Sequence, residues 1–461
     1  MKTRILSLAL LGALVGTTTV SAQQFVPVPN SSLVTDITAD GSMVVGNGTG
    51  GAFYWRWQAE PAPTFIGENG AVAVSDDGSV ILGRMNDPIL NVSVAGLWTQ
   101  STGWVSLGAL DTCGSGSSPY GMSADGSKVV GLSWSGCSGR GFVWDSVNGM
   151  QELDNQANGN NRASAISADG TVIGGFAQGT STRTPAYWDP ADLTGFMIDP
   201  SIGGEVNAFT SDGSLSVGTI YAGGSWNNAF TRTSAGAVTI LGALNPGQMA
   251  GVASAVSENE QTIAGYDVAG LSKEGWVWRS TDGIISMNDR LTALGATNVP
   301  PISTAVALSD DGSVVVGAYD PDGISFSAGY IALLNPYIEP WTDLGGGIAG
   351  INGVPQLSGD GNLVGGTTVT LNLVNAPPST TMLAWMAFAP SNIPYFGGTV
   401  FTLPFNTQII VPSSPAGTFS ASTTWPIGVP QGTDVWFQFA MQDLSVVQGI
   451  TISNGVKATT P

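Results

Sequence analysis

One phrase recurs along this chain and limits what it can fold into: a strand of small residues, Ser or Thr, one residue, Asp-Gly, then a valine-rich strand ending in Gly. It stands as Thr38-Ala39-Asp40-Gly41, Ser75-Asp76-Asp77-Gly78, Ser123-Ala124-Asp125-Gly126, Ser167-Ala168-Asp169-Gly170, Thr210-Ser211-Asp212-Gly213 and Ser309-Asp310-Asp311-Gly312. A degenerate copy is Ser257-Glu258-Asn259-Glu260. The third residues fall at 40, 77, 125, 169, 212, 259 and 311. That period of about 45 residues is the size of a supersecondary unit repeated around one architecture.

Asp-Gly between two apolar runs marks a tight hairpin, because Gly accepts positive φ and the Asp side chain bonds the backbone just ahead. The strand before the corner alternates small and larger residues, as in Ala163, Ala165 and Ser167 against Ser164 and Ile166. The strand after it is apolar on both faces, as in Val314-Val315-Val316-Gly317, and therefore expects burial on both. An aromatic strand follows (Phe53-Tyr54-Trp55, Gly96-Leu97-Trp98, Phe142-Val143-Trp144, Ala186-Tyr187-Trp188, Trp276-Val277-Trp278). Then comes a fourth, such as Trp104-Val105-Ser106-Leu107-Gly108. Four strands per unit predict an all-β, seven-bladed β-propeller over residues 23–336. A parallel β-helix has shorter coils and no need of a hairpin in every one. Helical solenoids would show a 3.6-residue period, which is missing. The seventh repeat lacks a fourth strand after Tyr330-Ile331-Ala332, and the extended segment at 25–29 is expected to supply it and cover that edge.

These residues resemble the bacterial extracellular repeat family called HAF. The match is Ala-x-x-Ser-x-Asp-Gly-Ser-x-Val-Val-Gly, then x-Ala-Phe-x-Trp, then Leu-Gly-x-Leu, over roughly residues 31–334. The family takes its name from His-Ala-Phe. This chain contains no His and carries Gly51-Ala52-Phe53 and Asn228-Ala229-Phe230 in its place, with Arg232 and Ala332 where the terminal Trp is expected. The resemblance implies an extracellular propeller and carries no biochemical activity with it.

An eighth repeat at Ser358-Gly359-Asp360-Gly361-Asn362 is rejected, because Pro355 interrupts the preceding strand and a long alternating strand follows where a loop belongs. Residues 337–461 are read as a separate C-terminal β-sandwich, with strands near 368–373, 382–388, 407–411, 418–425 and 434–440. This tail resembles a module recurrent at the ends of secreted bacterial proteins, on Trp341-Thr342-Asp343-Leu344-Gly345, Asn352-Gly353-Val354-Pro355, Gly397-Gly398-Thr399, Trp425-Pro426, Gly428-Val429-Pro430 and Ser453-Asn454-Gly455.

The first residues, Met1-Lys2-Thr3-Arg4, an apolar run at 5–15 and small residues ending at Ala22, have the three parts of a secretory signal peptide over 1–22. Export to the cell exterior or surface is the expected localisation, with no transmembrane segment after cleavage. Two cysteines, Cys113 and Cys137, are expected to pair in that setting. Loss of Lys2 and Arg4 takes the net charge from −20 to −22 and leaves eleven scattered Lys and Arg. That argues against nucleic acid and anionic lipid as partners.

Without His, Ser-His-Asp and Cys-His arrangements are impossible, and zinc loses its commonest ligand. The reading is therefore non-enzymatic, with no cofactor and no metal. The strongest enzyme rival is a glycosidase-like protein using paired carboxylates, although the Ser-x-Asp-x-Gly-x-x-Trp box of propeller sialidases is absent. Asp76-Asp77-Gly78, Asp310-Asp311-Gly312 and Asp320-Pro321-Asp322-Gly323 suggest calcium, but Asp recurring in every unit is what a turn requires. The tryptophans of the aromatic strands are read as core. Recognition is assigned to the loops at 84–94, 132–140, 177–184, 219–227 and 289–301, which vary while the Asp-Gly corners do not. Trp134 and Trp226, aromatic in polar loops, with Arg84 and Arg140, are the candidate contacts for an extracellular glycan or protein. A third possibility is a purely structural role in the cell envelope.

Overall fold

The computed structural model describes residues 24–110, 116–135, 138–179, 182–199, 201–221, 227–247, 249–321, 327–335, 340–363, 365–403, 405–430 and 432–460. These divide into two compact units, one ending at Pro336 and one beginning at Tyr337. The expected leader at 1–22 lies outside the described residues.

Among the described residues the first unit forms seven four-stranded antiparallel sheets, six of them simple meanders of consecutive strands. They cover 31–67, 70–106, 117–152, 161–197, 204–242 and 250–286. The seventh uses Ile302–Leu308, Val314–Tyr319 and Ala328–Leu333, and its fourth strand is Phe25–Pro27 from the opposite end of the chain. Phe25 lies between Tyr319 and Tyr330, with ring centroids 5.3 and 5.6 Å away.

The recurring phrase is explained by the hydrogen bonds of its corner. In the third sheet the Ser123 hydroxyl donates to the Asp125 carboxylate (2.7 Å), the Ser127 amide donates to the same oxygen (2.9 Å), and the Lys128 amide donates to Ser123 Oγ (3.0 Å). All seven corners repeat this arrangement, Asn259 standing for Asp in the sixth. Gly follows at φ near +70°, except that Glu260 occupies the same left-handed conformation at φ 60°. The closing Gly of the valine strand has a different cause. Every first strand carries a bulge, whose extra residue is Thr35, Val72, Tyr120, Ser164, Asn207, Ser254 or Val306. The bulge brings a first-strand carbonyl so close that a Cβ on Gly46, Gly131 or Gly317 would sit 2.2, 2.2 and 2.0 Å from it.

Hydrophobic clusters join the sheets in succession. Val45 and Ala52 meet Ala71 and Ile81, Leu82 and Ala95 meet Val129 and Phe142, and Leu215 and Ala229 meet Ala253 and Trp276. The seventh sheet returns to the first, where Val314, Val316 and Ile331 pack on Val34, Val44 and Phe53. The corners are tied the same way round. The amides of Asp76, Ala124, Asp169, Glu258 and Asp310 donate to the carbonyls of Ala124, Ala168, Ser211, Asp310 and Ala39 at 2.9–3.0 Å. Ser211 donates instead to the Glu258 carboxylate (2.8 Å). Where Trp is replaced in the fifth repeat, Arg232 lays its guanidinium over the Tyr187 ring of the preceding sheet at 4.7 Å.

One expectation is corrected. Residues 289–301 are not simply a loop: Met287–Ala293 is an α-helix, capped by Ser286 Oγ accepting from the Asp289 amide. Met287 and Leu291, one turn apart, fill the core beside Val315 and Tyr330. Seven residues give too short a run for a helical period to be read in sequence.

The second unit has a six-stranded and a three-stranded antiparallel sheet. The larger runs Trp341–Gly345, Gly455–Thr459, Asp434–Gln442, Thr381–Ala387, Thr407–Pro412, with Ile450–Ile452 also on Asp434–Gln442. The smaller runs Gln356–Asp360, Thr368–Val374, Phe419–Thr424. Leu357 and Leu373 of the smaller pack on Met382, Val411 and Phe439 of the larger. Asn454 ties them: its amide accepts from the Leu357 amide (2.6 Å) and donates to the Leu357 carbonyl (2.9 Å) and to Asp343 (2.7 Å). The Ser358 phrase is thus one hairpin of the smaller sheet rather than a further four-stranded repeat.

Candidate functional site

In an antiparallel meander the first and third turns lie at one end and the second turn and the exit lie at the other. The first end of the larger unit is occupied by the repeated Asp-Gly corners. At the second end the connections differ from sheet to sheet. Trp134 is there, near the tip of the hairpin of Lys128–Ser135 and Ser138–Asp145, and is 41% exposed.

Arg140, on the partner strand of that hairpin, is committed to structure. Its Nη1 donates to the Gly159 carbonyl (2.9 Å) and its Nε lies 3.3 Å from Glu152. Arg84 is half-buried inside the strand Ile81–Asn86 rather than in the loop that follows. Both arginines thus lie on strands rather than within loops, and Arg140 holds neighbouring elements together. Trp226, Cys113 and Cys137 lie outside the described residues, as does Asp322.

Sequence reasoning did not single out the other large apolar side chains exposed at this end among the described residues. Ile89 is 90% exposed, Tyr221 46%, and Leu271 fully exposed. Ile89 sits on a rigid support: Asp87 is buried, and its carboxylate accepts from the amides of Ile89 (2.7 Å) and Leu90 (2.8 Å) and from the Ser106 hydroxyl. The Ser106 bond, then the Leu90 amide, hold that carboxyl below the usual carboxylate range. Leu271 occupies the two-residue turn between Thr262–Ala269 and Ser272–Arg279. An apolar side chain held out by a buried acid or a tight turn has no folding reason to be apolar. Its polar neighbours in sequence are the only signal that could have pointed to it.

The corner end carries a different chemistry. The variable residue of the phrase is acidic in three corners, Asp76, Glu258 and Asp310, and corner-to-corner bonds bring these positions together. Water reaches all three, yet the crowd of corners strips hydration from them. Desolvation, then the charges of Glu258 and Asp76, raise Asp310 to about 6. Asp76 is raised by desolvation and by Glu258. Deeper on the first strand, half-buried Asp36 accepts from the Val74 amide of the next sheet (2.9 Å) and is raised to about 7, chiefly by desolvation. The Asp of the corners behave oppositely: the Ser42 amide and the Thr38 hydroxyl hold Asp40 low, and Asp125 follows for the same reason. Turn hydrogen bonds thus account for the acid that a calcium reading would have used. Among the described residues, no group of three or more acidic or thiol side chains is arranged to hold a metal ion.

A polar chain links the first strands toward the second-turn end. Arg162 stacks on the Tyr120 ring at 4.4 Å and pairs with Glu205, which also accepts from Ser164. Among the described residues no helix is long and apolar enough to cross a membrane.

No protein family matches the chain, and no curated protein does. Solved structures match at low identity. A putative TolB from Agrobacterium tumefaciens is 16% identical over 46% of this chain and 80% of its own, at a TM-score of 0.37. An oligogalacturonate lyase in complex with manganese is 13% identical over 67% and 91%, at 0.46. The β-propeller domain of the trilobed protease from Pyrococcus furiosus is 11% identical over 74% and 94%, at 0.36. The chain is mostly β, with repeated four-stranded antiparallel sheets.

Proposed function

We propose that the first unit is a seven-bladed β-propeller of the HAF type, that the second is a β-sandwich, and that the whole is a secreted, non-catalytic protein. It binds an extracellular glycan or protein through the second-turn end of the propeller. The observation that carries this is the set Ile89, Trp134, Tyr221 and Leu271. Four large apolar side chains stand exposed at the second turns of four different sheets, while the opposite end is fixed by the corners. Aromatic and aliphatic anchors on a rigid frame are what recognition of a sugar face or a protein patch requires. The bonds to Asp87 and the tight turn at Leu271 fix the backbone that carries two of these side chains, so little backbone entropy is lost there on contact.

The test is a glycan array and a pull-down from the native extracellular milieu, comparing the parent with a variant carrying Ile89→Ser, Trp134→Ala, Tyr221→Ser and Leu271→Ser. All four side chains are surface-exposed, so the variant keeps its melting temperature. Retention of the parent's bound species by the variant would sink the proposal.

One observation favours a second reading, a carbohydrate-active enzyme. Asp310, raised to about 6 beside Asp76 and Glu258, keeps its proton closer to neutral pH than an ordinary carboxyl does, which suits a general acid. Turnover of aryl glycosides or polysaccharide by the parent and not by Asp310→Asn would favour this reading over the first.

A further inference from the structure

The two sheets of the C-terminal unit enclose a cavity of about 490 Å³. Phe437, Phe439 and Ile409 of the larger sheet face Leu371, Phe419 and Ala421 of the smaller across it. Thr407–Pro412 is the last strand of one sheet and Phe419–Thr424 the last of the other. The chain passes between them without pairing them, so the cavity follows the side on which the two sheets are not joined. Ile427 lines it and is 86% exposed, which marks a mouth. Interiors normally close-pack, leaving voids no larger than a water molecule, and a space of this size belongs to the class of ligand pockets.

The lining has two informative features. No Asp, Glu, Lys or Arg is part of it among the described residues. Trp425 and Trp385 are, each nine-tenths buried with an indole Nε1 that has no hydrogen-bond partner among the described residues, and Trp425 is the one next to Ile427 in sequence. An unpaired buried donor is costly unless something brings it an acceptor. Part of the lining follows one strand, Phe419, Ala421 and Thr423, for roughly 14 Å at the usual rise, long enough for an extended chain to lie along it.

We propose that this cavity binds one uncharged acyl or alkyl chain, whose ester carbonyl or hydroxyl oxygen accepts from Trp425 Nε1. An ionised fatty acid is disfavoured, because nothing in the lining neutralises a carboxylate and the chain carries a net charge of −20. The proposal is independent of what the propeller binds.

The experiment uses the full chain and the neutral fluorescent probe N-phenyl-1-naphthylamine, displaced by 1-decanol, methyl decanoate, n-decane or sodium decanoate. The expected result is probe uptake, displacement by decanol and methyl decanoate, and displacement by decanoate at least tenfold weaker. Trp425→Phe weakens decanol about tenfold and leaves n-decane within twofold. Ala421→Trp, which fills the cavity, abolishes uptake. Should Ala421→Trp fail to fold, the split between decanol and decane in Trp425→Phe decides the matter. Cosedimentation with phosphatidylcholine vesicles that Ile427→Ser abolishes identifies a bilayer as the source of the chain, and displacement without cosedimentation identifies a free molecule. Absence of uptake, unchanged uptake by a folded Ala421→Trp, decanoate equal to decanol, or equal losses for decanol and decane in Trp425→Phe would each overturn it.

Discussion

Asp36 occupies the position after the bulge at which the other six repeats carry Ala73, Gly121, Ala165, Ala208, Ala255 and Ala307. Its carboxyl titrates at about 7 instead of 3.8, so the folded state holds the proton more tightly than the unfolded chain does. Stability is therefore fully present below about pH 4 and falls as the pH rises toward 7, where the buried group must ionise. Three pH units would amount to about 4 kcal/mol, and water access to the half-buried side chain reduces this to about 1–2 kcal/mol. Asp36→Asn keeps an oxygen to accept the Val74 amide and removes the charge. It should match the parent at pH 4 and exceed it by about 1–2 kcal/mol at pH 8. Urea unfolding followed by tryptophan fluorescence at pH 4, 6 and 8 reads this as a widening gap in midpoint at constant slope. Asp36→Ala should gain less, because the Val74 N–H then loses its acceptor at a cost of about 1–3 kcal/mol. Parallel curves for the parent and Asp36→Asn across this range would refute the reasoning.

Glu260→Gly should stabilise the first unit by about 0.5–1 kcal/mol, because it relieves a left-handed residue where the other corners carry Gly; thermal unfolding checks it. Phe25→Ala should cost about 2 kcal/mol by stripping the strand that completes the seventh sheet of its contacts with Tyr319 and Tyr330. Its signature is faster amide exchange in Ala328–Leu333. Glu205→Ala leaves the largely buried Arg162 unpaired and should cost about 3 kcal/mol. The double change Arg162→Met, Glu205→Met should cost less than Glu205→Ala alone, and a double variant that loses at least as much would show that the pair is not coupled.

The candidate site was legible only in part. Trp134 announces itself as an aromatic residue in a run of Ser and Gly, and it is exposed. Ile89 and Leu271 do not, because an apolar residue between two strands reads as the edge of a core until a buried Asp87 or a two-residue turn is seen holding it outward. Arg140 reads as a free cation at a loop border, and only the approach of Gly159 and Glu152 from the next segments reveals its structural use. The helix Met287–Ala293 falls in a stretch whose seven residues carry two core contacts, fewer than a periodicity argument needs.

The sequence by itself determined the corners, since Ser-x-Asp-Gly closes on hydrogen bonds among residues within five positions of one another and needs no distant partner. It also determined the four-strand rhythm, through alternation and turn chemistry. Tertiary structure alone decided which corner residues meet. Asp76, Glu258 and Asp310 lie in separate repeats, and their mutual repulsion exists only after seven sheets pack face to face and the last returns to the first. It decided equally that Phe25–Pro27 joins Ala328–Leu333 across some three hundred residues, and that two sheets of the tail leave the Trp425 indole without an acceptor among the described residues. Local geometry is set by interactions along the chain, whereas desolvation and charge proximity depend on neighbours that only packing supplies.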